Sequence, residues 1–370
     1  MRKKILITLL FLIIVSVLII FLHTKKPLSS VATTFSIGWM GPLTGDAASL
    51  GQDALKASQL AVDELNAEGG INGKQLKLIV EDTKCDAIYA TTAMQKFINV
   101  DHVKIVMGGL CSGETLAAAP IAEENHVVLF SPCSSSPDIT SAGDYIFRSY
   151  PSDSLQGKFT AEYVKNVLKK DKVAILYVQN PWGDGIQKVF SNEYTQLGGD
   201  ISIAIPYEAQ TRDLRTELVK IQNSDAQAIY FLGVTEGTLV GLKQIYELGI
   251  QLPVLGGDTW SDQAILTSPF SNGTYYIQPK ENYDTEFVNK LEKIKAHTSI
   301  CTPGSYNNIY ILADIIKKVG NDSEKIKNAL YGVQDFTGVN GPITFDQNGD
   351  IVHAEYSIKK IVSNEANFQE

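Results

Sequence analysis

Short apolar runs alternate with amphipathic segments along the chain from residue 34 onward. Between these runs, apolar positions recur with the spacing of a helix; in residues 54–65 they form one face of small side chains. This alternation is typical of an α/β fold with parallel sheets. The apolar runs predict eight strands, at residues 35–40, 75–82, 103–108, 126–131, 172–178, 201–207, 226–233 and 252–257.

The alternation is interrupted twice, which indicates two lobes. The segment RSYPSDS near residue 150 separates two αβ sets. After residue 280 the pattern is helical, and it ends in two apparent strands, 337–346 and 353–361, with the turn signal Asn348-Gly349 between them. A late return segment requires the chain to cross between lobes more than once. We therefore assign residues 35–153 with 281–336 to lobe 1, and residues 154–280 with 337–370 to lobe 2.

The N-terminus carries a membrane-targeting pattern. Residues 5–22 are apolar apart from Thr8 and Ser16, and they follow a short basic start, Arg2-Lys3-Lys4. Basic residues stay on the cytoplasmic side, so the remainder of the chain is expected outside the cytoplasm. We take residues 1–26 as a signal or membrane anchor and 27–34 as a linker. An uncleaved anchor is favoured over a removed signal, because small residues suited to cleavage come only well beyond the apolar run.

Composition excludes several classes of function. The chain is 44% hydrophobic and 20% charged, as expected for a soluble globular body. Its net charge is −9, and because the first 26 residues hold five basic and no acidic residues, the remainder carries −14. Such an acidic body is a poor partner for nucleic acid. The five histidines form no metal-binding motif, and the glycine-rich segment 41–52 lacks a nucleotide fingerprint, so we expect neither a metal nor a cofactor.

Ser112 is the first candidate for ligand binding. It follows a predicted strand and begins a predicted helix, in the segment GGLCSGET. Open α/β sheets bind ligands at the carboxyl ends of their strands, and a helix N-terminus with a hydroxyl attracts a carboxylate there. A simple helix-capping role for Ser112 explains the same sequence segment equally well.

Cys111 has two competing interpretations. Residues 109–113 fit the G-x-C-x-G pattern of a nucleophile elbow, which would indicate a cysteine hydrolase. In an oxidising compartment, however, Cys85 at the end of a neighbouring strand is a suitable disulfide partner for Cys111. We favour the disulfide. Whether Cys133 and Cys301 also meet is open at this point.

Three further segments follow predicted strands. FSPCSSSPDIT (130–140) is a stiff polar loop expected at the same sheet edge as Ser112, and a solvated serine turn is the alternative. Asp258 in GGDTWSDQ is suited to face a ligand cation, or else to cap a helix. Trp182 is suited to pack on the apolar part of a ligand, although single aromatic residues more often belong to a core.

Taken together, these segments resemble the type I periplasmic solute-binding proteins of branched-chain amino-acid ABC transporters, the leucine/isoleucine/valine-binding group. The resemblance covers residues 35–362, and the string N-x-x-G-G-I-x-G at 66–73 is its strongest marker. It implies two Rossmann-like α/β lobes joined by three crossover segments, with the ligand in the cleft between them. The motifs in order are IGWMGPLTGDAASLGQ, NAEGGING, GGLCSGET, VVLFSPCSSSPDIT, VAILYVQNPWGDG, VLGGDTW and NGPITFDQNGD.

The resemblance also implies roles for individual residues. Ser112, with Ser135 and the backbone of Cys133, is expected to hold the α-carboxylate and ammonium of an amino acid from lobe 1. Asp258 is expected to meet the ammonium from lobe 2, and Trp182 occupies the position of the family's pocket aromatic. The family disulfide falls on Cys85 and Cys111. Two positions depart from the pattern, since Leu50 replaces a common bulky aromatic residue and Thr235-Glu236 stand where a tyrosine is frequent.

The sequence therefore predicts a non-enzymatic, extracytoplasmic solute-binding protein, anchored to the cytoplasmic membrane by residues 5–22. Its expected partners are a small ligand, such as an amino acid, and an ABC transporter permease. A ligand-sensing receptor of the same fold is the first alternative. A cysteine hydrolase that uses Cys111 is the second, and it requires a free thiol.

Overall fold

The computed structural model describes residues 34–280, 282–352 and 354–362. The predicted signal or anchor at residues 5–22 lies outside this range. Within the range, none of the helices has the length and apolar character needed to cross a bilayer.

Strands and helices alternate as the apolar pattern predicts. The thirteen strands of the described residues are β1 (Phe35–Gly41), β2 (Leu76–Asp82), β3 (Ile105–Met107), β4 (Val128–Ser131), β5 (Ile146–Arg148), β6 (Lys172–Val178), β7 (Asp200–Tyr207), β8 (Ala228–Leu232), β9 (Val254–Gly256), β10 (Tyr275–Pro279), β11 (Phe336–Gly338), β12 (Gly341–Ile343) and β13 (Tyr356–Lys360). The helices are α1 (Ala48–Ala67), α2 (Ala87–Asn99), α3 (Ser112–Glu124), α4 (Asp153–Asn166), α5 (Pro181–Gln196), α6 (Arg215–Gln222), α7 (Thr235–Glu247), α8 (Gln263–Leu266), α9 (Thr285–Lys293), α10 (Thr302–Val319) and α11 (Ser323–Tyr331).

Two sheets form the centres of two lobes. In lobe 1 the strand order is β2-β1-β3-β4-β5, and every pair in this sheet is parallel. In lobe 2 the order is β13-β10-β9-β8-β6-β7, where only β13 runs antiparallel to its neighbour. Each sheet has a switch point, between β1 and β3 in lobe 1 and between β6 and β8 in lobe 2. Ligands of open α/β sheets bind outside such points, beyond the carboxyl ends of the strands.

The small-residue face predicted in residues 54–65 explains how α1 packs. Ala54, Ala57, Ser58 and Ala61 are fully buried in lobe 1, where α10 lies against α1. The Ser58 hydroxyl bonds the backbone carbonyl oxygen of Ser305 at 3.2 Å, which a larger side chain would prevent. Part of the late helical segment, α10, thus packs against α1 of lobe 1.

The chain crosses between the lobes after β5, after β10 and before β13. The C-terminal segment divides differently from the sequence assignment, which places everything after residue 336 in lobe 2. Ile343 and Phe345 are buried in the core of lobe 1, where the Phe345 ring contacts Phe130 and Phe147. The chain joins the second sheet only with β13. Around Asn348-Gly349 the chain forms only one antiparallel bridge, between Phe345 and Ile351. The expected hairpin does not extend beyond this bridge, because aromatic packing holds the first of the two segments in lobe 1 while β13 pairs with β10.

Candidate ligand-binding cleft

A cleft of about 540 Å³ lies between the lobes. Its walls include the loops that follow β1 and β3 in lobe 1 and β6 and β8 in lobe 2, at the switch points of both sheets, and the loops that follow β2, β4, β7 and β9 add to them. Four of the five predicted site residues line it: Ser112, Cys133, Ser135 and Trp182. Asp258, the fifth, does not reach the cleft surface in this structure.

Ser112 is held with its hydroxyl in a defined orientation. Its Oγ accepts hydrogen bonds from the backbone N–H groups of Ser135 at 3.2 Å and Ser136 at 3.0 Å. A hydroxyl has two lone pairs and one proton, so with both lone pairs occupied its proton is left to donate. Ser112 is 2% exposed and borders the cleft. It is therefore placed as a hydrogen-bond donor to a bound group.

The N-terminus of α3 adds a positive end at the same place. The amides of Ser112 and Gly113 fall in the first turn, where a helix offers them no internal partner. The Glu114 carboxyl reaches back and accepts from the amides of Leu110 and Cys111, both at 2.9 Å. Burial raises the pKa of Glu114 to about 7, although hydrogen bonds from Thr83 and three backbone amides act against this rise. A largely uncharged Glu114 below neutral pH leaves the helix end able to attract an anion.

The serine loop that follows β4 is buried rather than solvated. Ser131 Oγ donates to the carbonyl oxygen of Gly109 at 2.7 Å and accepts from the amide of Ser134 at 2.9 Å. Ser134 Oγ also donates to the Gly109 carbonyl, at 2.8 Å. These bonds join the loop to the segment that leads into α3, so the two parts of the lobe 1 wall form one unit.

Arg148 supports this loop from behind, a role that sequence reasoning missed. It is fully buried and bonds Asp350 through two nitrogens, at 2.6 and 2.7 Å. A third nitrogen donates to the Ser136 carbonyl oxygen at 2.8 Å. Because Arg148 and Asp350 are 202 residues apart, no local pattern connects them.

Two disulfides brace the lobe 1 wall. The predicted Cys85–Cys111 bridge is confirmed, with Cα atoms 5.5 Å apart, directly before Ser112. A second bridge joins Cys133 to Cys301, with Cα atoms 5.0 Å apart. All four cysteines lie within the described residues, and none is free. The cysteine hydrolase alternative is therefore wrong, because Cys111 has no thiol to act as a nucleophile.

Trp182 stands on the opposite wall, in the first turn of α5. Asn180 caps this helix by accepting from the amide of Gly183 at 2.8 Å. The indole ring packs against the backbone of Gly257, where a Cβ would lie 3.2 Å from Trp182. Trp182 is 7% exposed and borders the cleft. It thus provides an apolar surface on the lobe 2 side.

Asp258 lies behind this wall, next to a second buried acid. Tyr150 Oη donates to Asp258 Oδ2 at 2.8 Å, and the amide of Thr259 donates to Oδ1 at 2.9 Å. Gln156 bridges to Asp153, since its Nε2 donates to Asp153 Oδ1 and its Oε1 accepts from the amide of Asp258, both at 3.0 Å. Burial raises the pKa of Asp258 to about 6. Burial, and then the neighbouring Asp258 charge, hold the pKa of Asp153 well above its ordinary value.

Sequence reasoning missed the partners of Asp258. Tyr150, Asp153 and Gln156 all belong to or follow the RSYPSDS segment, which signalled only a break between lobes. Thr259 is the residue of this group that borders the cleft. The contact between Asp258 and a ligand therefore stays a prediction.

The remaining wall is apolar in its depth and polar at its mouth. Leu50, Leu110, Val234 and Ile300 border the cleft and are each less than 10% exposed. Lys84, Asp86 and Glu208 are among the residues at its exposed rim. Of the two departures from the family pattern, Leu50 borders the cleft, whereas Thr235 donates its hydroxyl to Asp262 Oδ2 at 2.6 Å. Over the part of the chain described, no three histidine, cysteine or acidic side chains gather as metal ligands.

Comparison with known proteins agrees with this geometry. The family model described as periplasmic binding protein matches residues 34–365. The leucine-, isoleucine-, valine-, threonine- and alanine-binding protein of Pseudomonas aeruginosa is 27% identical over 340 residues, covering 89% of this chain and 90% of its own length. The Leu/Ile/Val-binding protein of Escherichia coli is 24% identical over 336 residues, covering 89% of this chain and 91% of its own.

Solved structures share the fold across nearly the whole described chain. The branched-chain amino-acid transporter substrate-binding protein LivJ of Streptococcus pneumoniae, in complex with isoleucine, is 27% identical with a TM-score of 0.82. It covers 90% of this chain and 97% of its own. The leucine-binding protein LivK of Thermotoga maritima, at 23% identity, superposes with a TM-score of 0.84 over 91% of this chain and 98% of its own.

Proposed function

The chain belongs to the periplasmic binding protein family, and from that membership and the cleft we propose that it captures an amino acid with an apolar side chain and presents it to an ABC permease. The observation that carries the proposal is the Ser112 hydroxyl. Both of its lone pairs are occupied by backbone amides, which leaves its proton to donate to a ligand at a helix N-terminus. A carboxylate is the group that best matches this set of donors.

The ligand's ammonium is assigned to the lobe 2 side. Asp153 and Asp258 are buried beside one another, and the ion pairs found among the described residues include neither of them. Buried carboxylates that are hydrogen-bonded only to neutral groups attract a cation strongly. An ammonium seated near Ser135 and Thr259, which border the cleft, would face this pair. A zwitterion would then contact both lobes and favour their closure.

The ligand's side chain is assigned to the apolar depth of the cleft. Leu50, Val234, Ile300 and Trp182 supply surface that an aliphatic group would bury. The Pseudomonas relative is named for binding leucine, isoleucine, valine, threonine and alanine, and the Streptococcus protein was solved with isoleucine. We extend that ligand class to this chain. The cleft supports binding without covalent chemistry, since the cysteine suited to be a nucleophile is in a disulfide.

The family indicates an extracytoplasmic protein, and two disulfides suit an oxidising compartment. We further propose that residues 5–22 anchor the chain to the cytoplasmic membrane. Support for the anchor comes from the sequence alone, from an apolar run of eighteen residues behind three basic ones.

A thermal-shift screen tests the ligand class. The exported body would be screened against the twenty amino acids, simple amides, sugars, nucleosides and benzoate. Aliphatic amino acids are expected to give the largest rise in Tm, because binding to the folded state alone stabilises it. The best ligands would then be titrated by calorimetry. A sugar or an aromatic acid that stabilises the protein when no amino acid does would contradict the proposal.

A further inference from the structure

The carboxylate of Asp262 joins helices of both lobes. Its Oδ2 accepts from the hydroxyl of Ser49, the second residue of α1 in lobe 1, and from that of Thr235, the first residue of α7 in lobe 2. Its Oδ1 accepts from the amide of Ala264 at 2.9 Å. Asp262 is 3% exposed. A negative charge at the N-terminal ends of α1 and α7 is also stabilised by both helix dipoles.

A second polar contact crosses the mouth of the cleft. Arg212, between β7 and α6 of lobe 2, forms an ion pair with Asp46, between β1 and α1 of lobe 1. The side chain of Arg212 is 47% exposed and that of Asp46 is 17% exposed, so this pair is partly solvated. Asp46 borders the cleft, whereas Ser49, Arg212, Thr235 and Asp262 are not among the residues that line it.

We propose that these two contacts, Ser49–Asp262 and Asp46–Arg212, form a latch that sets how tightly the cleft holds every ligand. Each contact joins residues of different lobes, so opening of the lobes would break both, and of the four side chains only Asp46 borders the cleft. The inference rests on the proposed function only for the choice of ligand. When only the closed state binds fully, the apparent Kd is the intrinsic Kd divided by the closed fraction. A weaker latch therefore raises the Kd of all ligands by one common factor and leaves their ratios unchanged.

The Ser49–Asp262 contact is the stronger half of the latch. An exposed ion pair such as Asp46–Arg212 contributes little and is screened by salt. The Asp262 carboxylate is buried, and a hydrogen bond to a charged group is stronger than one between neutral groups. Opening the lobes removes the Ser49 donor but leaves those of Thr235 and Ala264, which belong to lobe 2. Ser49 is thus the partner whose loss acts on closure alone.

Three substitutions of Ser49 test the latch: one adds a repelling charge, one removes the hydroxyl, and one keeps the hydroxyl on a different side chain. Ser49→Glu places a second carboxylate against Asp262 and is expected to raise the Kd for leucine, isoleucine and alanine by about tenfold each. The same change puts an acid in the first turn of α1, which favours the fold. Ser49→Ala is expected to raise each Kd by about threefold, and Ser49→Thr, which keeps the hydroxyl, to restore it.

Two matched variants control for local damage. Thr235→Val removes a donor from the same Asp262 oxygen but within lobe 2, so its Kd values are expected within about 1.5-fold of the parent while Tm falls. Arg215→Gln matches Arg212→Gln, because Arg215 pairs with Asp213 and Glu247 inside lobe 2. Arg212→Gln is expected to raise Kd by about twofold at low salt. This effect is expected to disappear at about 0.5 M NaCl, because salt screens an exposed ion pair.

The two arms of the experiment separate the latch from the ligand assignment. If an amino acid binds, a common factor across ligands supports the latch, and an unchanged Kd or a changed ligand ratio in Ser49→Glu overturns it. If no amino acid binds, small-angle scattering of the unliganded protein decides. A larger radius of gyration in Ser49→Glu than in Thr235→Val then supports the latch, and equal radii overturn it.

Discussion

The two walls of the cleft are built on different principles. The lobe 1 wall presents hydroxyls and backbone amides from Ser112 and the serine loop, tied together by hydrogen bonds to Gly109 and by two disulfides. The lobe 2 wall presents the Trp182 ring and Val234, and keeps two carboxyl groups, Asp153 and Asp258, buried behind its surface. The lobe 1 wall offers the positive ends of backbone dipoles without a formal charge, whereas the lobe 2 wall has two buried, ionisable carboxyl groups behind it.

This difference between the walls suits a zwitterion, with its carboxylate at the lobe 1 wall and its ammonium at the lobe 2 wall. Backbone dipoles need no counter-charge when the cleft is empty, so the lobe 1 wall can be rigid and complete. Buried acids cannot both remain charged without a cation, which is why burial raises their pKa values. The lobe 1 wall is thus preorganised, whereas in the proposed binding mode the ammonium of the ligand completes the lobe 2 wall. The predictions below test that contrast in order of decreasing expected effect.

Removing the second disulfide tests whether the lobe 1 wall depends on covalent bracing. Cys133 and Cys301 are 168 residues apart, against 26 for Cys85 and Cys111. Since a longer closed loop constrains the unfolded chain more, the double variant Cys133→Ala/Cys301→Ala is expected to lose about 4–5 kcal/mol of unfolding free energy. Cys85→Ala/Cys111→Ala is expected to lose about 3 kcal/mol. Urea unfolding followed by circular dichroism measures both, and a larger loss from the shorter loop would contradict the ranking.

Neutralising Asp258 tests the charge held behind the lobe 2 wall. Asp258→Asn keeps the shape of the side chain but removes its charge, so an ammonium in the cleft loses its strongest partner. Amino-acid binding is expected to weaken by about 2–4 kcal/mol, or about 30- to 1000-fold in Kd. Calorimetric titration measures the change, with the exposed Asp138→Asn as the control. Binding within about threefold of the parent would show that Asp258 does not meet the ligand.

The pH dependence of stability tests Glu114, the buried acid on the lobe 1 side. Its pKa is raised to about 7 in the folded protein, whereas an unfolded chain ionises it near 4.5. Unfolding free energy is therefore highest below pH 4.5 as far as this group is concerned, and it falls as pH rises toward 7, by about 3 kcal/mol. Glu114→Gln should flatten this slope in urea unfolding at pH 5, 6 and 7.5. Equal slopes in variant and parent would mean that Glu114 titrates normally.

Much of the fold could be predicted because its strands lie in parallel sheets. Such strands are buried on both faces and read as continuous apolar runs, so 172–178 matches β6 residue for residue. Two strands had no such signal. β5 ends in the charged Arg148, and β10 ends in Gln278 and Pro279, so neither formed an apolar run that stands out from its surroundings.

The two walls of the candidate site also differ in how much of them could be predicted from the sequence. Ser112 and the serine loop could be found because each directly follows a strand, and strand ends meet at one edge of a sheet. The partners of Asp258 could not, because Tyr150 and Gln156 reach it across 108 and 102 residues and through a crossing between lobes. Asp258 itself was identified from its place after a strand and then from the resemblance, and neither of these indicated its burial.

Ser112→Ala has the smallest expected effect. It tests how much of the affinity comes from the Ser112 hydroxyl and how much from the backbone amides of the lobe 1 wall. The substitution removes one hydroxyl donor from the ligand and one acceptor from the amides of Ser135 and Ser136. The amides of the α3 N-terminus remain, and the two freed amides can themselves donate to a carboxylate. Affinity is therefore expected to fall by only about 1 kcal/mol, or about fivefold in Kd. Calorimetry with the best ligand measures the change, and Ser154→Ala, on the exposed start of α4, is the matched control. A loss as large as that of Asp258→Asn would show that the hydroxyl, rather than the backbone dipoles, binds the anion, and the contrast between the walls would then fail.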